Sequence, residues 1–491
     1  MLFNTLDFVV FFIFIIVILI SIKNRKFQHS FLLAASYFFF YYSSGYLILL
    51  LIFSTFLDFY AGKKIWECKD NPTKKKIILI TSLAGNLGLL GFYKYADFAI
   101  LQFNLFGEYF DLSNQIPFLN LALPIGISFY TFQTISYTID VYRGNLEPSK
   151  SIKEFGLFVA FFPQLVAGPI LRASHFLPQL REKIEQFSSK TRLTPISINS
   201  WNLKLGISIM ALGFLKKMFF ADNISPFVDQ VFSNPMGLES ASIILGTIGF
   251  GIQIYADFSG YSDIAIGAAI ILGFKIPRNF NKPYFASSPR DFWQRWHISL
   301  STWLRDYLYI PLGGNKISKN RTFLNLIIVM LLGGLWHGAS WNFVIWGLLH
   351  GVYLSIHRVV QKSFPGISNN KFLKSKFGLI LSILVTQYFV FLAWIPFRVR
   401  DFDFMMYSME KYVFFDFMFQ ETLDIVLTNK ISIFLMAVFI LFNYLSYRSK
   451  NFYERIAKMH LFYWGLMLFS IMFSILILYN GHPENFIYFK F

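Results

Sequence analysis

Residues 287–315 read SSPRDFWQRWHISLSTWLRDYLYIPLGGN, and after a short basic link residues 323–351 read FLNLIIVMLLGGLWHGASWNFVIWGLLHG. The first stretch opens as a helix should. Ser288 can cap, Pro289 suits the first helical position, and Asp291 stands three residues after the cap. The helix is expected to end before Pro311 and the Gly313-Gly314 pair. Trp293, Trp296, Leu300, Trp303 and Tyr307 recur at helical spacing, while Arg290, Asp291, Arg295, Arg305 and Asp306 make the segment too charged to face lipid. It belongs at an interface or inside a protein funnel. The second stretch carries His337 in an apolar run flanked by Gly333, Gly334 and Gly338, and an ionisable residue at membrane depth points to function.

Working outward, the same apolar character fills most of the 491 residues: 55% are hydrophobic and the mean hydropathy is +0.51. That excludes an ordinary soluble domain and predicts a polytopic membrane protein. The net charge of +17 would suggest nucleic acid in a soluble chain. Here the basic residues cluster in short loops between apolar runs, as the positive-inside bias requires, so no nucleic-acid partner is expected. The single cysteine, Cys68, excludes an internal disulfide or a multi-cysteine metal site. Asp7 stands where a signal peptide would be basic, and no small-residue cleavage site follows the apolar run to Ile22. This run is expected to remain as the first span.

Taken in order, the basic loops at Lys23–Lys26 and Lys63–Lys76 bracket residues 31–60, which predicts a hairpin turning at Ser43-Ser44-Gly45. Residues 77–92 then cross outward and residues 118–141 return. The run 154–173, EFGLFVAFFPQLVAGPILRA, has basic residues on both sides and is broken by Pro163, Gly168 and Pro169. Such backbone survives at membrane depth only inside protein or beside a water-filled cavity, so a re-entrant segment is expected. Residues 201–220 cross outward, with Lys216 and Lys217 against the positive-inside trend. Residues 241–274 return, interrupted at Asp257-Phe-Ser-Gly260, and the carboxylates of Asp257 and Asp263 there need cationic partners. Residues 323–357 form a hairpin with His337 near its turn. Residues 378–396, 431–447 and 461–479 add further crossings. Between the first two of these, residues 398–430 hold six acids against four bases, as suits an external amphipathic excursion. The expected fold is an all-α polytopic membrane protein of about 11–13 transmembrane helices, with both termini outside. It reads as a single integral domain over 1–491, with a catalytic core over about 118–357 and additional carboxyl-terminal spans over about 378–480. No internal repeat is visible.

Both central histidines lie in tryptophan-rich contexts, RWH at His297 and LWH at His337, and six of the ten tryptophans fall in this stretch. An aromatic belt accounts for Trp293, Trp303 and Trp346 about as well as a site does, but it explains the histidines poorly. A histidine away from bulk water beside a hydroxyl acceptor suits general-base work. His337 and His297 are therefore the candidate catalytic residues, and Trp293, Trp296, Arg305, Trp336 and Asn342 the candidate substrate-binding residues. Gly334 and Gly338, four apart, fit helix packing or close approach of a narrow substrate chain. His350 and His357 lie seven apart on one helical face. Two histidines without a third ligand seldom hold a metal, so no metal site is expected. His29, His175, His460 and His482 read as loop or interface residues. No G-x-S-x-G, P-loop or dinucleotide fingerprint stands out.

These residues carry a resemblance. PRDFWQRWHISLSTWLRDYLYIPLGGN and LLGGLWHGASWNFVIWGLLHG, together with FFPQLVAGPILRASHFLPQL (161–180), YADFSGYSDIAIG (255–267) and NFNKPYFASS (279–288), closely resemble the membrane-bound O-acyltransferase family, particularly its bacterial alginate O-acetyltransferase branch. The D-alanyl transfer proteins of teichoic acid modification share a related two-histidine pattern. The resemblance implies tilted helices around a thin, funnelled core, a donor thioester entering from the cytoplasm and an acceptor reaching the site from outside. It places the family's near-invariant histidine at His337 and the second active-site histidine at His297. His337 would take the proton of an acceptor hydroxyl, and His297 would orient the donor or stabilise charge; a transient acyl-histidine is the open alternative.

The function implied is an O-acetyltransferase of the bacterial inner membrane. It would use acetyl-CoA as donor substrate, with no bound cofactor, to acetylate an exported, alginate-like polysaccharide, assisted by a periplasmic acetyltransferase partner and surrounded by membrane lipid. Acyl transfer from a carrier-protein thioester is the alternative within the same chemistry. A non-catalytic transporter is the alternative of another class, and repeated halves and membrane-embedded carboxylates in place of paired histidines would mark it.

Overall fold

The computed structural model describes residues 1–111, 115–165, 168–181, 198–366, 370–479, 481, 484 and 486–489, and among these it is helical with no strand. Two units emerge: Met1–Met210 with Ile264–Pro277, and Ala211–Asp263 with Arg278–Phe491. Among the described residues seven helical stretches are long and apolar enough to cross a membrane, Arg25–Glu67, Pro72–Tyr109, Ser240–Ile271, Trp341–Ser363, Lys376–Arg398, Lys430–Arg448 and Leu461–Leu478. The larger number of crossings read from hydropathy also counts shorter helices, such as Leu6–Ser21 and Ile127–Arg143 at 16 and 17 residues.

In the first unit, capping residues set the helix starts. Asn24 accepts from Phe27 N at 3.2 Å, and Asn71, followed by Pro72, accepts from Lys74 N at 3.0 Å. The expected turn at Ser43-Ser44-Gly45 is a break at Gly45, whose φ of 56° ends one helix before the next begins at Ile48. The return crossing expected over 118–141 starts late. Its helix is Ile127–Arg143, because Pro124 and the left-handed Gly126 delay it, and the backbone N–H groups of Leu119 and Asn120 donate instead to Asp97. Asp58 is fully buried and accepts from Asn86 Nδ2 at 2.8 Å, Thr138 Oγ1 at 2.9 Å and the Ser82 hydroxyl. Shared donors of this kind tie helices together where water is absent.

The broken segment expected over 154–173 is present. Helix Ile152–Ala160 stops at Phe161, a single turn Phe162–Leu165 follows, and a further helix begins at Ala173. The carbonyl of Phe158, freed by the break, accepts from Gln164 Nε2 at 3.0 Å and from Gln133 Nε2. Phe158, Phe161 and Phe162 have no exposed surface, so the irregular backbone sits inside protein, as it must.

In the second unit the interruption expected at Asp257-Phe-Ser-Gly260 is absent: Ser240–Ile271 is one helix. Gly260 marks a close approach instead. A Cβ there would meet Gly213 O at 2.7 Å and Lys217 N at 3.0 Å. The carboxylates expected to need cationic partners have them, Asp263 in Lys216 at 2.6 Å and Asp257 in Lys217 at 3.1 Å. The two lysines that ran against the charge bias are thus the cations that the helix needs.

Helices Lys319–His337 and Trp341–Ser363 pack along each other as the predicted hairpin, and Lys376–Arg398 packs against the second. A Cβ on Gly334 or Gly338 would strike Phe343, so these glycines serve the hairpin's own contact. The region 398–430 forms helices Phe402–Val413 and Gln420–Thr428, the first capped by Asp401.

Candidate active site

The opening stretch is not the single helix that its spacing suggested. Ser288 caps as expected, accepting from Asp291 N at 3.1 Å, but the helix Pro289–Arg295 ends at once, and a second, Ile298–Leu304, begins after His297. The competing partner is the non-helical run 279–281. Asn281 N donates to Arg295 O and Ile298 N to Asn279 O, both at 2.9 Å. The Asn279 side chain accepts from Ser299 Oγ at 2.6 Å and donates to Ser262 Oγ at 3.1 Å. These bonds take backbone groups that a continuous helix would use, and they turn His297 into the left-handed region at φ 39°, ψ 54°. A non-glycine residue there costs of order 1–3 kcal/mol, and such strain concentrates at functional sites.

The break faces His297 towards His337. The two imidazole centroids lie 6.4 Å apart, and His297 and His337 are 1% and 4% exposed. His337 is the last residue of its helix and sits among Trp346 at 5.0 Å, Trp336 at 5.1 Å, Phe397 at 5.2 Å and Tyr488 at 5.3 Å. His297 stands 4.7 Å from Phe258, 5.9 Å from Trp336 and 6.4 Å from Tyr488. Burial pushes the His297 imidazole down to about 3, so it is neutral at physiological pH. A neutral imidazole has one donor and one acceptor nitrogen, and a dry aromatic box strengthens every hydrogen bond made inside it.

Trp336 thus touches both histidines. Trp296 is buried against Trp394 at 4.9 Å and belongs to the wall behind the site. Trp346, an equal candidate for an aromatic belt, is 1% exposed and inside. Asn342 is committed elsewhere: its amide donates to Val399 O, tying the hairpin to the end of the next helix. Arg305 is largely exposed and pairs with Asp306 at 2.6 Å. His350 is sandwiched by Phe292, Trp293 and Trp346, as suits a structural residue. Among the described residues no group of three metal-ligating side chains occurs. His29 and His175 contact the backbone carbonyls of Lys153 and Lys275, His460 caps the helix Leu461–Leu478, and His482 lies outside the described residues.

A cleft of about 630 Å³ opens beside this centre, lined among others by Arg290, Trp293, Ser301, Arg305, His357 and Arg358. Neither histidine of the pair lines it. Trp293 is among its lining residues and touches Trp346 at 5.7 Å, and Trp346 in turn packs on His337. The cleft therefore offers cations at its walls, and two indoles in contact lead from it to His337.

Phe397 and Tyr488 were not found by reading the sequence. The only trace was the aromatic density of NFIYF (485–489) after the last span. Its contact with residues some 150–190 positions earlier has no local signature.

Comparison with known proteins shows the family. The profile of MBOAT, the membrane-bound O-acyltransferase family, matches residues 145–368. The chain is 38% identical over 374 residues to a peptidoglycan O-acetyltransferase of Helicobacter pylori, covering 71% of this chain and 67% of that protein. It is 42% identical over 311 residues to a probable alginate O-acetylase of Azotobacter vinelandii, covering 62% of this chain and 58% of that protein. A teichoic acid D-alanyltransferase of Bacillus subtilis is 30% identical over 298 residues, 58% of this chain and 70% of that protein. The chain belongs to the membrane-bound O-acyltransferase family.

Proposed function

We propose that this protein moves acetyl groups from a cytoplasmic thioester, acetyl-CoA, across the inner membrane for O-acetylation of an exported polysaccharide. The observation that carries the reading is the pair of buried imidazoles, one held at a left-handed break, in a chain of this family. His337 acts as general base: it takes the proton of the attacking hydroxyl while the oxygen adds to the thioester carbonyl, and the thiolate leaves and is reprotonated. His297, neutral and fixed in orientation, donates to the carbonyl oxygen as charge develops there. Trp336 holds the two rings in register. Arg290, Arg305 and Arg358 suit the phosphates of a nucleotide-bearing donor, and rotation of Trp293 and Trp346 admits its thioester end. The acceptor side is completed by an extracytoplasmic acetyltransferase partner.

Transfer of an acyl group from a carrier-protein thioester is the second reading, favoured by the D-alanyltransferase relative; the acetyltransferase relatives share more identity. The test is release of free thiol from acetyl-CoA by the purified protein in nanodiscs, supplied with acceptor and partner. His337→Ala is expected to lose about 10²–10⁴-fold in turnover, the worth of a general base. Full turnover in a folded His337→Ala protein overturns the assignment. A wild type inert to acetyl-CoA yet active on a carrier thioester transfers the reading to the second donor.

A further inference from the structure

The segment 486–488 reaches the histidines from the far end of the sequence, and one buried ionic cluster holds it there. Ile487, at the start of the short turn Ile487–Phe489, donates its N–H to Asp257 Oδ2 at 2.7 Å. Asp257 Oδ1 lies 3.1 Å from Lys217 Nζ, and the same ammonium lies 2.7 Å from Asp222 Oδ1. Asp257 and Lys217 are 2% and 1% exposed. Beside this anchor the Phe486 ring packs on Tyr261 at 4.4 Å, and Tyr488 packs on Phe258 at 4.7 Å. Asp257, Phe258 and Tyr261 stand at i, i+1 and i+4 on one helix, so a single face grips the segment.

Burying two carboxylates around one ammonium is a poor way to gain stability, because desolvation offsets most of the attraction. It is a good way to fix one backbone N–H, since a charge-assisted bond is short and directional. None of the contacts of Asp257 described above reaches either histidine of the pair, whereas the residue next to its partner Ile487 packs against both.

We propose that Asp257, clamped by Lys217, is a positioning residue that holds the 486–488 strap across the histidine pair and so sets where the Tyr488 ring stands beside His337 and His297. The inference rests on the reading of that pair as the acyl-transfer centre.

The experiment measures kcat and KM for thiol release in Asp257→Ala, Asp257→Asn, Ile487→Pro, Tyr488→Ala and the double variant Asp257→Ala/Tyr488→Ala. Ile487→Pro removes the N–H and leaves the ionic cluster intact, and proline is accommodated at the first position of a helical turn. It therefore tests the strap even where Asp257→Ala fails to fold. Asp257→Ala and Ile487→Pro are each expected to lower kcat about 10- to 100-fold, the scale of a misplacement near 1 Å, with KM for the donor unchanged. Asp257→Asn, which keeps an acceptor oxygen, recovers part of kcat. In the Tyr488→Ala background Asp257→Ala costs nothing further, because the two act through one element. Wild-type kcat in Ile487→Pro, or the same fold loss from Asp257→Ala in both backgrounds, overturns the proposal. His337→Ala run alongside separates the two failures: its full turnover overturns the acyl-transfer reading, whereas its loss with wild-type Ile487→Pro overturns the strap alone.

Discussion

Adding one methyl group to Gly334 should cripple this protein, while the same addition to Gly333 should be almost silent. A Cβ on Gly334 would run into the Phe343 carbonyl oxygen and would meet Phe343 C at 3.1 Å and Gly347 Cα at 3.3 Å. All three are backbone atoms of the facing helix, so no rotamer change relieves them. The helices must part by something near 1 Å, and overpacking of this kind costs about 1–3 kcal/mol. The larger effect is on chemistry. His337 lies three residues beyond Gly334 at the end of the same helix, and a displacement of that size at a catalytic group can cost about 100-fold in rate. At Gly333 the nearest atom to a new Cβ is Leu304 Cδ1 at 3.3 Å, the tip of a flexible side chain. There the expected cost is below about 1 kcal/mol, with activity retained. Thermal unfolding and thiol-release turnover, measured on both variants in the same nanodiscs, check the pair. Wild-type turnover and melting in Gly334→Ala would refute the view that this helix contact sets the position of His337.

Other consequences follow from the same geometry. Arg358→Gln and Arg305→Gln should raise KM for a phosphate-bearing donor with little change in kcat, the pattern of lost ground-state binding; an unchanged KM removes the cleft from the donor's path. Lys216→Met leaves Asp263 with Tyr453 Oη at 2.8 Å as its remaining partner, and should destabilise by about 3 kcal/mol, the lower end for a broken buried pair, seen as a lowered melting temperature. Because burial holds the His297 imidazole neutral, with its pKa down at about 3, it does not titrate between about pH 5 and 8. His297→Gln should therefore lower kcat without moving the limbs of the pH–rate profile, and a limb that shifts or vanishes refutes the neutral role.

Much of the site was legible because its pieces are local. A capping serine, a proline at the first helical position and tryptophans at helical spacing act within a few residues, and they placed the helix start at Ser288 and the hairpin turn beside His337 correctly. Charge asymmetry and apolar run length likewise gave the membrane class and the broken, protein-buried segment around Pro163. Misreadings arose where a distant group outbid a local one. Helical spacing through His297 was real, but Asn279 and Asn281 take the hydrogen bonds there and break the helix. The Asp257–Gly260 tetrapeptide reads as an interruption, but Gly260 serves a close approach to Gly213 and the helix runs through it whole. The cationic partners expected for Asp257 and Asp263 are Lys217 and Lys216, some 40 positions earlier.

By itself, then, the sequence determined what hydropathy, charge balance and near-neighbour propensity can determine: an all-helical membrane chain, with two tryptophan-flanked histidines as the candidate site. The tertiary structure alone decided that His297 and His337 face each other 6.4 Å apart, that Asn342 is spent on Val399, and that Phe397 and Tyr488 close the box. The physical reason is separation along the chain. A ring contact or buried hydrogen bond between residues some 150–230 positions apart leaves no period in the sequence, because its free energy comes from excluding water between elements that only the fold brings together.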